Sequence, residues 1–181
     1  MSNYRRVRIP GASYFFTVVT HRRQAILCNR GVPRLLLDTM NQVREELPFS
    51  LEALVIMPDH LHSLWSLPET SSDYSKRWAL IKLRFTKLMA TRVDCSHVTS
   101  PARAARHDGS IWQRRFWEHM IRDPADFNVH FHYIHFNPVK HGLVTRVADW
   151  PFSTFHRFLK TGVYSRDWGG LEVWPDNVGS E

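Results

Sequence analysis

Cysteine, acidic side chains and long apolar runs are all scarce in this chain, and each shortage removes a class of function. Two cysteines in 181 residues, Cys28 and Cys95, lie far apart without metal-type spacing. A disulfide framework or thiolate metal centre is therefore excluded as the organising feature, and two reduced thiols are expected. No apolar run approaches the roughly 20 residues of a membrane span, and the charged opening YRRVRIPG is unlike a secretory signal, so a cytoplasmic protein is expected. No glycine loop of the Walker type occurs, which argues against a nucleotide-driven reaction. Asp and Glu number 17 against 24 Lys and Arg, a formal charge of +7. That balance favours an anionic partner, and without a basic amphipathic anchor or lipidation signal, nucleic acid ranks ahead of a membrane.

What is present suits one globular domain. Hydrophobic residues make up 43% and aromatics 13% of the chain, enough for a packed core, and the length suits a single domain over residues 1–181. The aromatic and β-branched run YFFTVVT, residues 14–20, reads as a buried central strand. Leu36, Met40, Val43 and Leu47 fall at helical spacing over residues 32–47, and Pro48 stops that helix. Residues 51–57 read as a second strand, and Pro58 and Asp59 turn it into a third. A second helix is expected over residues 72–93, with Trp78, Ile81, Phe85, Leu88 and Met89 as its apolar stripe and Ser72 or Asp73 as its cap.

The third strand carries the most informative stretch, VIMPDHLHSLW at residues 55–65. His60 and His62 are two apart, so on a strand both imidazoles project to one face and together can hold a divalent metal. Asp59 is close enough to support a ligating imidazole. Positive charge gathers elsewhere: residues 76–122 contain eleven Lys and Arg but three Asp and Glu. Within them IWQRRFWEHMIR interleaves aromatics with arginines. This suggests a groove where Arg114, Arg115 and Arg122 meet phosphates and bases stack on Trp112 or Trp117. The same stretch is the best candidate for a fourth strand. Arg5 and Arg6 in the opening arm, Arg22 and Arg23 after the first strand, and Lys140 complete the candidate DNA contacts. Residues 94–109 read as a basic loop without periodicity.

Pro124 opens a further helix, which Pro138 is expected to end. Tyr133 and Asn137 are four apart and share one face of it. His130, His132 and His135 are spread around the same helix. The order βαββαβ followed by a helix predicts an α+β, ferredoxin/RRM-like split βαβ sandwich. Its antiparallel sheet would carry the two histidines, with helices packed on one face and the final helix near the histidine strand. An aromatic and basic tail, about residues 145–181, holds WPFSTFHRF, Tyr164, Trp168 and Trp174 and is expected to pack back on the domain.

The segments YFFTVVT, VIMPDHLHSLWSLP, IWQRRFWEH, YIHFNPVKHGLV and WPFSTFHRF, in this order and spacing, resemble the REP-associated tyrosine transposases. These are single-domain relatives of the single-tyrosine insertion-sequence transposases within the HUH endonucleases. The resemblance spans residues 5 to about 168. It implies His60 and His62 as metal ligands, Asn137 as the group completing the metal site, and Tyr133 as the catalytic nucleophile. It also implies Mg²⁺ or Mn²⁺ as cofactor and single-stranded DNA hairpins such as repetitive extragenic palindromes as partner, in a nucleoid-associated protein. The reaction implied is cleavage and strand transfer through a tyrosyl 5′-phosphate and a free 3′-hydroxyl. A monomer is implied, although insertion-sequence relatives work as dimers sharing sites. In the family an acidic residue is common just before the tyrosine, where this chain has His132.

A phenol with an ordinary pKa of about 10 needs help at neutral pH, and His135 or His132 is the expected assisting base. Two imidazoles suit Mn²⁺ better than Mg²⁺, so higher activity with Mn²⁺ is expected. Two other functions are weighed: a catalytically silent hairpin-binding protein, and a metal-dependent hydrolase with water as nucleophile. The intact set of His60, His62, Tyr133 and Asn137 argues against the first, and a tyrosine beside a helical ligand argues against the second.

Overall fold

The computed structural model describes residues 7–92 and 111–169. Strand β1, Ser13–Val19, lies inside the sheet. Its alternation sends Tyr14, Phe16 and Val18 to one face and Phe15 and Thr17 to the other, and all five are buried. Helix α1, Val32–Glu46, buries Leu36, Met40 and Val43 and stops before Pro48. Strands β2, Ser50–Ile56, and β3, His60–Ser66, follow. Helix α2, Tyr74–Arg92, starts where the Asp73 carboxylate accepts from the Lys76 amide at 3.0 Å, as the capping expectation required. Strand β4, Trp117–Met120, is the fourth strand expected in the arginine-aromatic stretch. The sheet order is β2-β3-β1-β4, antiparallel at every pairing, the split βαβ arrangement.

The two crossover helices share one face of this sheet. There Trp65 stacks between Phe49 at 3.9 Å and Trp78 at 4.3 Å, and Phe16, Ile81 and Phe85 complete the layer. The opposite face is covered by α3, Pro124–Lys140, through Phe131, Tyr133 and Ile134 against Phe15, Ala53, Val55 and Leu64. The Asp123 side chain caps α3 by accepting from the Asp126 amide at 2.8 Å. Pro138 does not end α3, contrary to the sequence expectation; the helix runs on to Lys140. A proline this near the C-terminus removes one i→i−4 bond while the last turn is still closed, since the His141 amide donates to the Asn137 carbonyl at 3.0 Å.

The described part of the tail, residues 145–169, packs back as expected. The Ile56 amide donates to Phe152 O, and Thr154 and Leu54 exchange bonds of 2.9 Å, so residues 152–154 shield the edge of β2. A short helix α4, Phe155–Lys160, follows, and Tyr164 and Trp168 join the core beneath α3. Gly169, at φ +94, fits where a Cβ would come within 2.6 Å of Val147 and 3.3 Å of Phe136. Arg5, Arg6, Cys95, the 94–109 loop, Trp174, Asp176 and Glu181 lie outside the described residues. No helix among the described residues is long and apolar enough to cross a membrane.

Candidate active site

The site is built on the α3-facing side of β3. His60 and His62 project together as their spacing requires, with ring centroids 4.9 Å apart, and both are buried. Register places Thr17 of β1 opposite His62, and the Thr17 hydroxyl lies 2.9 Å from His62 Nδ1. His60 Nδ1 lies 2.7 Å from Asp59 Oδ1, and Arg23 donates to the other carboxylate oxygen at 3.2 Å. Partial burial pushes the Asp59 carboxyl up, but its bonds to His60 and Arg23 and their positive charge outweigh this and hold it below the usual carboxylate range. With each Nδ1 engaged, each imidazole is oriented to present Nε2, the usual support of a ligating histidine. The donor set of two imidazoles therefore fits a divalent metal.

Arg23 reaches Asp59 from a turn that follows β1 at residues 21–23. Arg22 and Arg23 there adopt φ values of 54° and 51°, in the left-handed region that costs a non-glycine residue about 1 kcal/mol or more. The Thr20 amide and hydroxyl both donate to Asp59 O at 2.8 Å, tying this turn to the one that leads into His60.

Helix α3 brings Tyr133 onto the same surface. Its ring lies 5.4 Å from His62 and 6.0 Å from Phe15, edge-on to both, and the residue is 1% exposed. Asn137, one turn on, is fully buried. Lys140, two turns from Tyr133, places Nζ 3.1 Å from the tyrosine hydroxyl and 4.7 Å from its ring centroid. His141 brings its ring to 5.6 Å from that of His60.

The other histidines of α3 point elsewhere. His135 Nδ1 lies 3.0 Å from the Tyr164 hydroxyl and Nε2 lies 2.8 Å from Thr154 Oγ1, so both nitrogens face the tail. Burial, aided by the charges of His132 and Arg157, pushes its pKa down to about 3, and it is neutral. His132 Nδ1 lies 2.8 Å from the same Tyr164 hydroxyl. At about 100° per residue, position 135 lies roughly 200° around the helix from Tyr133. The sequence reading offered His132 and His135 as assisting bases; the structure directs both nitrogens of His135, and Nδ1 of His132, away from the tyrosine.

His119, Asp126 and His130 bring three ligating side chains within 4.8 Å of one another. Asp126 holds His119 Nε2 at 2.8 Å and His130 Nδ1 at 3.1 Å, and also accepts from Arg122 Nε at 3.1 Å. Burial raises the Asp126 carboxyl, but the bonds from His119 and Arg122 overcome it and bring it to about 2. The two rings stack 4.5 Å apart at 16°, and the nitrogens that face the group's centre are both engaged with the Asp126 carboxylate. With a guanidinium already on the carboxylate, this is an ion-paired network fixing β4 to α3. Glu118 lies on the other sheet face, opposite Phe16 in register.

The candidate DNA contacts divide. Trp112 is 2% exposed and packs on Phe85 at 5.4 Å under α2, where no base can stack on it. This corrects the expectation for Trp112. Trp117 is half-buried on the α3 side, 5.7 Å from Phe15 and one residue across the sheet from Thr17. Arg22, Arg23, Arg114, Arg115, Arg122 and Lys140 are exposed. Arg157, in the tail, donates to the Leu51 and Glu52 carbonyls. Thr17 and His141 were not among the sequence candidates. Thr17 depends on strand register, which periodicity does not reveal, whereas Lys140 could have been linked to Tyr133 by its seven-residue helical spacing.

A family model described as "Transposase IS200 like" matches residues 9–137. A REP-associated tyrosine transposase of Escherichia coli K12 is 42% identical over 171 residues, covering 94% of this chain and 92% of its own. A relative from Haemophilus influenzae is 43% identical over 177 residues and covers 94% of each chain. A solved structure described as a REP-associated tyrosine transposase bound to a REP hairpin superposes with a TM-score of 0.82 at 40% identity, over all of this chain and 98% of the other.

Proposed function

The chain belongs to the IS200-like transposase family, enzymes acting on DNA, and we propose that it is a metal-dependent single-stranded DNA endonuclease and strand transferase that cleaves REP-like hairpins through a 5′-phosphotyrosine. The observation that carries this reading is the approach of Tyr133 on α3 to His62 on β3, which brings a nucleophile and a metal-binding pair to one spot. The relative solved with a REP hairpin supports a hairpin as the partner.

His60 and His62, with the Asn137 side-chain oxygen, would hold the metal, Mn²⁺ in preference to Mg²⁺ for a nitrogen-rich donor set. When bound, it supplies a Lewis acid to a phosphate oxygen. The chain's own residues do the rest. Asp59 and Thr17 fix the two imidazoles, and Phe15 and His62 hold the Tyr133 ring for in-line attack on phosphorus. Exposed Arg22, Arg23, Arg114 and Arg115 meet the backbone, and Trp117 offers a face to an unpaired base. The Tyr133 Oη–P bond forms as the P–O3′ bond breaks, conserving a phosphodiester so that the strand can be rejoined without ATP. Because Tyr133 meets His62 of its own chain, the reading is of a monomer.

The test is a denaturing gel of protein with end-labelled hairpins carrying single-stranded flanks, in Mn²⁺, Mg²⁺ or chelator. Label attached to protein only with metal, and lost in Tyr133→Phe and His62→Ala, is the expected result. Cleavage that persists in Tyr133→Phe would replace this reading with a hydrolase using water. Tight binding without cleavage of any substrate would leave a hairpin-binding protein.

A further inference from the structure

We infer that Lys140 is a catalytic residue of this site, acting on the nucleophile's oxygen rather than serving as one more phosphate contact; the inference rests on the tyrosine-transfer reading above. Composition alone would file Lys140 with the other basic residues of a DNA-binding surface. The geometry sets it apart. Its ammonium donates to the Tyr133 hydroxyl at 3.1 Å while lying 4.7 Å from the ring centroid, so it engages the oxygen and the π-face together. Tyr133 is buried and Lys140 is exposed at the last turn of α3, so the ammonium is the exposed group beside the reacting oxygen. Positions 133 and 140 are two helical turns apart, and the rigid helix, capped by Asp123 and held through Asp126 to β4, fixes their separation.

Two duties follow from this placement. Before attack, the ammonium donates to one lone pair of the phenolic oxygen and favours negative charge on it. As the Tyr133 Oη–P bond forms, the phenolic proton passes to solvent and charge builds on the phosphoryl oxygens. The P–O3′ bond breaks, and the departing 3′-oxygen takes a proton from solvent. Throughout, the Lys140 side chain remains within reach of the phosphoryl group now attached to Tyr133. A positive group preorganised beside developing charge stabilises the transition state more than the bound ground state, so its loss should appear in the rate at saturation.

Lys140→Met and Lys140→Arg, compared with the intact protein, separate this from a simple phosphate contact. The first measurement is the single-turnover rate of covalent adduct formation at saturating hairpin with Mn²⁺. The second is hairpin affinity across a salt series. Lys140→Met should lower the rate by about 10²–10³-fold while changing affinity by less than about threefold, and Lys140→Arg should recover part of the rate by restoring the charge. A Lys140→Met protein that reacts at the unaltered rate, with weaker binding and a salt slope flatter by about 0.7, would make Lys140 a phosphate contact and overturn the inference. If the intact protein forms no adduct with any hairpin, the tyrosine-transfer reading fails and this inference falls with it.

Discussion

The two faces of the sheet are buried to a similar degree and built from different materials. Under α1 and α2 the centre is aromatic and aliphatic, with Trp65 stacked between Phe49 and Trp78. The buried polar groups on that side include Ser63 and Glu118 within the sheet and Thr39 on α1, while Arg77 donates to the Leu47 and Pro48 carbonyls. Under α3 the buried set includes Thr17, His60, His62, His130, His135 and Asn137. Burying polar groups costs free energy unless each is matched by hydrogen bonds. The face under α1 and α2 supplies aromatic and aliphatic packing, and the face under α3 carries the groups to which the proposed function assigns chemistry. A tyrosine, two histidines and a lysine can then be held in fixed relation without providing the fold's main cohesion.

This division can be broken on the apolar side first. Trp78→Ala should destabilise the protein by about 3–5 kcal/mol, read from denaturant unfolding, while the rate of adduct formation per folded molecule stays within about twofold. A large loss of rate in the folded fraction would mean that the two faces are not separable.

On the polar side the largest stability effect is that of acid. His135 is neutral in the folded protein with a pKa of about 3, while in the unfolded chain it titrates near 6.5. Between those values the unfolded chain binds a proton that the folded chain does not, so its contribution is intact above pH 6.5 and is lost as pH falls toward 3. By pH 4.5 the loss from this residue is up to about 3 kcal/mol. His135→Gln should flatten the dependence of unfolding free energy on pH between 7 and 4.5; an unchanged slope would show that another group carries it.

Next in size is the support of His60. Asp59→Asn should weaken Mn²⁺ binding by about 10–100-fold, measured by metal titration, and leave the unfolding free energy little changed. Unaltered affinity would remove Asp59 from the site. The smallest effect is at the strained turn. Arg22→Gly relieves a left-handed residue but adds freedom to the unfolded chain, so stability should rise by no more than about 0.5 kcal/mol. Hairpin affinity should fall with the loss of one exposed charge, and a rise in affinity would exclude Arg22 from the DNA surface.

The faces also show what could be read before any coordinates. The six elements of the sandwich were legible because β1 is a continuous aromatic and β-branched run and α1 and α2 carry period-3.6 stripes, and the His60–His62 spacing fixed their common face. Helix α3 was legible up to its end. Pro138 misled because its helix-breaking effect was applied without regard to how few residues remained to be closed. Trp112 misled for another reason: it pairs with Thr20 and Trp117 with Thr17, three residues apart and so on opposite faces, and the arginines between the two tryptophans drew attention away from that difference. Thr17 beside His62 needed the β1–β3 register, and the assignment of His132 and His135 to Tyr164 needed the path of the tail. Neither relation has a local signature.

The central claim is that the oxygen of Tyr133 becomes bonded to DNA. The most direct measurement is mass spectrometry of the protease-digested covalent complex formed with a hairpin substrate in Mn²⁺. The account predicts a nucleotide mass on the peptide containing Tyr133, linked through a 5′-phosphate, with the released strand ending in a 3′-hydroxyl. A modified peptide from elsewhere in the chain, or cleaved DNA bearing a free 5′-phosphate with no modified peptide, would contradict it.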